Sequence, residues 1–315
     1  MKASFSIGLN AVILAVTGET PRVLTVTAAS GEPALPFGQL EPESERTLEL
    51  ALRHRVRELT GLELGYVEQL YTFGDRDRDP AVRHAGVRPI SIGYLALVRE
   101  GEAAPGAAWE DVYRFLPWED HRSGSNPSVE SRIAPALTAW ADAGSAACGA
   151  RTERVEITFG LGGSTWDGDR VLDRLELLYE ARLVAEAVRD RRRRTESPQP
   201  PPAPALGEPM ALDHRRMLAT ALGRIRGKIR YRPIIFEMLP EEFTLLRLQR
   251  TVEALAGVRL HKGNFRRLVD RGGMVVGTGR LEPHTGGRPA ELFRFRREVL
   301  RERRAPGVGL PRAPA

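Results

Sequence analysis

Ser197 to Pro204 reads Ser-Pro-Gln-Pro-Pro-Pro-Ala-Pro, five prolines in eight residues. Each proline fixes φ at about −65° and lacks a backbone N–H, so the stretch can be neither helix interior nor inner strand. A chain interrupted in this way folds as two units. Its length of 315 residues agrees, at roughly 100 to 200 residues per domain. The expected division is a first unit over 1–195, a linker over 196–207 and a second unit over 208–315.

The charge changes sign across the linker. The whole chain carries +6, but from Gly207 onward 23 basic residues face 11 acidic ones, leaving +12 there and −6 before it. A hydrophobic fraction of 42% with 28% charged residues excludes wholesale disorder and leaves ample material for a core. The lone Cys148 excludes an internal disulfide or a cysteine-rich zinc site, so a reducing compartment, the cytoplasm, is expected. Phe5 to Val16 imitates a signal peptide, but Asn10 interrupts it and Thr17-Gly18-Glu19-Thr20 offers no small-residue cleavage pattern, so it is expected to be a first strand. No run approaches the ~18 to 20 apolar residues of a membrane span.

Strands are expected at Ala11 to Val16 and Val23 to Val26, around the Gly18-Glu19-Thr20-Pro21 turn, and at Tyr66 to Phe73, Ile90 to Val98 and Val155 to Phe159. Leu48, Leu52, Val56 and Leu59 recur at helical steps and Gly61 follows as a stop. A helix is also expected over Val129 to Ala141, with Pro135 either kinking it or marking its first turn. Leu172, Leu175, Tyr179, Leu183 and Ala187 predict one further helix from Trp166 to Arg191.

After the linker, a helix over Asp213 to Ile229 carries Arg215, Arg216, Arg224, Arg226 and Lys228 on its polar side, a solvated face in the plainest reading. Thr244 is placed to cap a second helix that Gly257 ends. In a third, His261 to Arg271, Phe265, Leu268 and Val269 cluster on one side, while Gly263, Arg266 and Arg267 point away with Asn264 on the flank. Two strands, Met274 to Thr278 and Glu291 to Phe295, then bracket a loop holding Arg288. Three helices and a hairpin in this order are the winged helix-turn-helix arrangement, whose last helix enters the major groove of double-stranded DNA. Arg266 or Arg267 can pair bidentately with guanine and Asn264 with adenine, while Lys262 and first-helix cations such as Arg224, Lys228 and Arg230 can meet phosphates. Winged folds also mediate protein contacts; the +12 charge favours DNA.

In the first unit, Gly38-Gln-Leu-Glu-Pro-Glu, a helix and Arg57-Glu58-Leu59-Thr60-Gly61-Leu62 resemble a Nudix box, whose loop and helix use glutamates to hold Mg²⁺ against a pyrophosphate. Counted from Gly61, the three helical glutamate positions hold Arg55, Glu58 and Leu59, and the earlier one holds Arg46 or Ser44. An arginine in place of a metal carboxylate reverses the local charge by two units and can approach the ligand's phosphates instead.

Further strings extend the resemblance: Glu68-Gln-Leu-Tyr-Thr-Phe-Gly-Asp75, Phe115-Leu-Pro-Trp-Glu-Asp120, Lys228-Ile-Arg-Tyr-Arg-Pro233, Phe243-Thr-Leu-Leu, Asn264-Phe-Arg-Arg267 and Thr285-Gly-Gly-Arg-Pro-Ala290. With them the chain resembles the Nudix-related transcriptional regulators of bacterial NAD metabolism, in particular the subgroup controlling de novo NAD synthesis. The resemblance implies an α+β fold, a Nudix-like α/β/α sandwich with a C-terminal winged helix-turn-helix. It also implies a homodimeric regulator of NAD genes, most simply a repressor, that needs no cofactor or metal, has no catalytic residue and responds to an adenine nucleotide such as NAD, ADP-ribose or ATP. Phe37, Tyr71 and Phe73 are candidates to stack on adenine, and Arg46, Arg53, Arg55, Arg76 and Arg88 to meet phosphates. The alternative is a Nudix hydrolase acting on ADP-ribose or a related nucleoside diphosphate derivative, with Glu58 gathering Mg²⁺ alongside Glu41, Glu43 or Glu45.

Overall fold

A computed structural model describes residues 4–41, 43–75, 87–143, 148–194, 206–282, 289–302 and 307. The organising element is a 14-residue strand, β1 (Ser4–Thr17). It pairs antiparallel with β2 (Thr20–Thr27) and β4 (Phe37–Gln39), and parallel with β6 (Val87–Leu97) from Ser4 against Val87 to Leu14 against Leu97. The short β3 (Pro33–Ala34) and β7 (Ala107–Asp111) extend the sheet from β2, and β5 (Tyr66–Phe73) closes the other side on β6, making seven strands.

Alternation along β1 shows why the apolar run is nearly continuous: both faces are buried. Leu9, Ala11, Ile13 and Ala15 pack with Leu52 and Val56 of α1 (Leu48–Thr60). Val12 and Leu14 face the other way, into a core shared with Leu178 of α5 (Val171–Glu180), Met217 and Leu222 of α7 (His214–Ile229) and Val252 of α8 (Leu245–Ala256). The result is the expected α/β/α sandwich, and its second helical layer includes helices from beyond the proline run. Residues 195–205, which include the whole run, lie outside the described residues, and one core contains residues from both sides of it.

Between β7 and the linker lie α2 (Val112–Phe115), a 3₁₀ turn at Pro117–Glu119, α3 (Ala134–Asp142), α4 (Cys148–Phe159), α5 and α6 (Ala185–Arg194). Pro135 falls in the first turn of α3, directly after a π-helical turn at Val129–Ile133. Two expectations are corrected here. Val155 to Phe159 is the end of helix α4 rather than a strand, because Val155 and Phe159, one helical turn apart, both bury in the core. The stripe from Trp166 to Arg191 is two helices, not one. Arg182 enters the left-handed region at φ 61°, and the break turns Val184 and Ala187 into the same core.

The second unit continues with α7, a 3₁₀ turn at Ile234–Met238, β8 (Glu242–Thr244), α8, α9 (Lys262–Gly272), β9 (Val275–Glu282), β10 (Ala290–Phe295) and a final turn α10 (Val299–Glu302). β8, β10 and β9 form a three-stranded antiparallel sheet in that order. The caps read from sequence are present: Thr244 Oγ1 accepts from the Arg247 N–H at 3.2 Å, and Gly257 ends α8 in the left-handed conformation.

Candidate nucleotide pocket and DNA-reading surface

A small cavity of about 40 Å³ opens where β1, β4 and β6 meet the start of α7. Its walls include Asn10, Phe37, Gly38, Ser91, Leu212 and His214. Phe37 is half exposed at its edge, with its ring 5.6 Å from that of His214. The side chain of Arg55 lies across Gly38 so closely that a Cβ there would fall 2.5 Å from the guanidinium Nε. Arg88, beside the wall residue Pro89, is exposed and donates to the Gly74 carbonyl at 3.1 Å. The fold does not gather these three: Phe37 pairs with Asn10 on the cavity's face of the sheet, whereas Gly38, under Arg55, and Arg88 pair with Leu9 and Phe5, on the face covered by α1.

The other nucleotide candidates are placed differently. Arg53 donates to the Leu64 and Gly65 carbonyls and pairs with Glu49, tying down the loop after α1. Arg46 is exposed ahead of the Thr47 cap. On β5, Tyr71 is 64% exposed while Phe73 is buried, its ring edge against Gly93. Arg76 lies outside the described residues. Asn10 and His214, in the wall of the small cavity, were not singled out from sequence, although a polar residue inside an otherwise apolar strand was the available signal for Asn10.

The Nudix-box carboxylates already have cationic partners. Glu58 accepts from Arg55 at 3.1 Å and lies 3.6 Å from His54, and Glu41 lies 3.8 Å from the same arginine. A guanidinium thus lies against Glu58, and among the described residues no group of three or more His, Cys, Asp or Glu is placed to hold a metal ion.

On α9, Phe265 and Val269 are buried, whereas Lys262, Gly263, Asn264, Arg266 and Arg267 are exposed, the division read from the helical wheel. Arg267 donates to the Asn264 side-chain oxygen. Among the described residues no carboxylate pairs with Lys262, Arg266 or Arg267, so this face is positive and exposed. Arg288 lies outside the described residues.

The basic side of α7 is a different matter: the expected solvated face is corrected for Arg215 and Arg226, which are buried, while Arg224 is exposed. Arg215 and Arg226 are each about 1% exposed and paired with Glu186 and Glu119. Arg216 pairs with Glu176, Arg224 lies 3.6 Å from Glu68, Lys228 is bound to Glu68, and Arg230 meets Asp169 at 2.8 Å. Every one of these carboxylates belongs to the first unit. The α7 cations lie against that acidic surface, so Arg224, Lys228 and Arg230 are not gathered with the α9 set.

At the centre of this seam Glu119 accepts from Arg174 at 2.6 and 3.0 Å and from Arg226. Burial pushes its carboxyl up, but the two guanidinium groups outweigh it and hold it below the ordinary carboxylate range. Tyr113 donates to the Ala254 carbonyl at 2.6 Å, and burial pushes its phenol up to about 12. The two units are fastened through buried polar groups as well as through apolar packing.

Residues 235–295 match the family model of the NrtR DNA-binding winged helix domain. This stretch of the C-terminal unit is thus similar to the NrtR winged helix. A curated relative, the ADPR responsive transcriptional repressor NtrR of Acinetobacter baylyi, is 37% identical over 91 residues, which are 29% of this chain and 36% of that protein. Two solved structures share the fold over nearly the whole length. NrtR of Shewanella oneidensis in complex with a 27mer DNA has a TM-score of 0.56 at 18% identity, covering 93% of this chain and 94% of its own. A MutT/nudix family protein from Enterococcus faecalis has a TM-score of 0.54 at 16% identity, covering 94% and 88%. The fold is thus that of a Nudix-like sandwich followed by a winged helix.

Proposed function

We propose that the protein is a transcriptional repressor of NAD-biosynthesis genes, acting as a homodimer on operator DNA and responding to an adenine nucleotide held by its Nudix-like unit. The observation that carries this reading is the exposed Lys262, Asn264, Arg266 and Arg267 face of α9 within the stretch similar to the NrtR winged helix domain. An exposed helix face of this charge suits the major groove, with arginine and asparagine forks for base edges and lysine for phosphate. The name of the curated relative makes ADP-ribose the first effector to try, ahead of NAD and ATP. The division into a sensing unit over 1–195, a linker over 196–207 and a reading unit over 208–315 is part of the same reading. Hydrolysis is disfavoured by the Arg55 contact with Glu58, and incubation with ADP-ribose and Mg²⁺ is expected to release no AMP.

The direct experiment titrates the full chain onto palindromic DNA from upstream of NAD genes, with and without ADP-ribose, by fluorescence anisotropy. Sequence-specific binding that changes on adding ADP-ribose is expected. Binding equal to that of scrambled DNA under both conditions would sink the proposal.

A further inference from the structure

The end of α8, where the chain turns toward the DNA-facing helix α9, is completed by groups from outside the winged helix. A helix leaves its last four carbonyls without partners of its own. At α8 the Gly257 N–H donates to the Glu253 carbonyl at 2.9 Å. The Ala254 carbonyl accepts from the Tyr113 hydroxyl at 2.6 Å, and the Leu255 carbonyl from Arg226 Nε at 2.9 Å. Just beyond the helix, the Gly257 carbonyl accepts the His121 backbone N–H at 2.7 Å. Tyr113 and His121 belong to the first unit, and Arg226 is held to that unit by both the carboxylate and the carbonyl of Glu119.

The groups that hold α8 are themselves joined. Arg122 makes a bidentate pair with Asp120, each contact at 2.8 Å, donates to the Glu19 carbonyl, and lies with its guanidinium 5.1 Å from the centre of the Tyr113 ring. It thereby ties the Asp120 loop to the β1–β2 turn. From that turn the Glu19 carboxylate meets Arg250 at 3.1 Å and Arg259 at 2.8 Å. Both arginines also meet Glu253 at 2.9 Å, a carboxylate 1% exposed that accepts the Leu260 backbone N–H at 3.0 Å. Gln249 donates to Glu253 and to the Leu260 carbonyl. The turn between α8 and α9 is thus fixed from within by Glu253 and Gln249, and from without by the first unit.

Apolar packing is non-directional, whereas hydrogen bonds to successive carbonyls fix both the position and the rotation of a helix end. Only Gly257 to His261 separate α8 from α9, so a shift of that end passes directly to the reading helix. We propose that the first unit completes the helix-turn-helix, with the Tyr113 hydroxyl, the His121 backbone and the Glu19 carboxylate setting the angle at which α9 meets DNA. Tyr113 and Glu19 are then positioning residues that do not themselves touch DNA. The inference rests on the DNA-reading function above and adds how the first unit reaches the reading helix. Bidentate contacts with base edges depend on fork geometry, so loosening this corner lowers discrimination among sequences. The number of phosphates met, and with it the salt slope, stays the same.

The test measures anisotropy of the full chain on operator and scrambled DNA at several salt concentrations, at a temperature where circular dichroism shows each variant folded. Tyr113→Phe keeps the ring and removes one buried hydrogen bond. It is expected to narrow the operator-to-scrambled affinity ratio about fivefold, the effect of roughly one such bond, with the salt slope of the wild type. Glu19→Gln alters a half-exposed pair and so serves even where Tyr113→Phe does not fold; a narrowing of about threefold is expected. A role confined to stability would leave the ratio of a folded variant untouched. A ratio equal to that of the wild type in either folded variant overturns this inference alone. So does tighter binding of both DNAs by Glu19→Gln, which would mean that Glu19 only withholds Arg250 and Arg259 from phosphates. A wild type that does not distinguish operator from scrambled DNA overturns the functional reading and this inference with it.

Discussion

Glu119 is a carboxylate with no access to water that accepts from two arginines far away in sequence, Arg174 and Arg226. Removing one partner from such a cluster leaves buried charge uncompensated, so Glu119→Gln is expected to destabilise the protein by about 3–5 kcal/mol. Because the folded carboxyl titrates below its ordinary value of 4.5, its ionised form stabilises the fold above that value, and the contribution is lost as pH falls through the folded pKa. Chemical denaturation of the wild type from pH 7 down to pH 3 should show that loss below about pH 4.5, and the Gln variant should show a flatter acid limb. Equal acid limbs would mean that Glu119 contributes nothing to folding at neutral pH. Neither this cluster nor the contact of His214 with Asn10 was legible in the sequence. Their partners are separated by 55, 107 and 204 positions, and no local spacing rule reports on contacts so distant. Arg226 looked like one more exposed helix arginine because its neighbours are exposed basic residues.

Individual helices were far more legible, since caps and periodicity are local. Gly61, Thr244 and Gly257 mark helix ends of α1 and α8 as read, and the wheel of α9 separates buried from exposed residues correctly. Where local pattern failed, at α4 and at the break between α5 and α6, burial in the shared core decided the backbone. Gly257 illustrates an element end with two jobs. It adopts φ 72°, and a Cβ there would sit 2.2 Å from the Glu119 carbonyl, so Gly257→Ala meets both backbone strain and a collision with the seam between the units. A lower melting temperature is expected, and an unchanged one would show that this close approach is unimportant. On α9 the exposed residues separate by role. Arg267→Ala should narrow the affinity gap between operator and mismatched DNA by about 1–3 kcal/mol, whereas Lys262→Ala should weaken all sequences alike and reduce the salt slope by about one unit. Anisotropy titrations against both DNAs at several salt concentrations distinguish the two outcomes, and loss of specificity from Lys262→Ala would reverse the assignment.

Over the whole molecule, the division of charge at the proline run proves to be more than a DNA-binding signature. Part of the +12 beyond the linker is matched at the seam by carboxylates of the first unit, including Glu68, Glu119, Glu176 and Glu186. Glu19, in the β1–β2 turn, adds pairs with Arg250 at 3.1 Å and Arg259 at 2.8 Å. What remains outward on α9 is correspondingly more distinct as a DNA-facing charge. The apolar core is also continuous from Val12 to Val299, including α5, α7 and α8. A proline run in the sequence separates units along the chain, but it does not say whether they bury their faces against each other. Two units sharing one core should unfold together, so calorimetry of the full chain is expected to give a single transition despite the linker. A nucleotide bound only by the sheet then stabilises the winged helix as well. At about 100 times its dissociation constant, ADP-ribose should stabilise the whole transition by about 2.7 kcal/mol. Two resolved transitions, only one of them shifted by ADP-ribose, would mean that the seam transmits no stability.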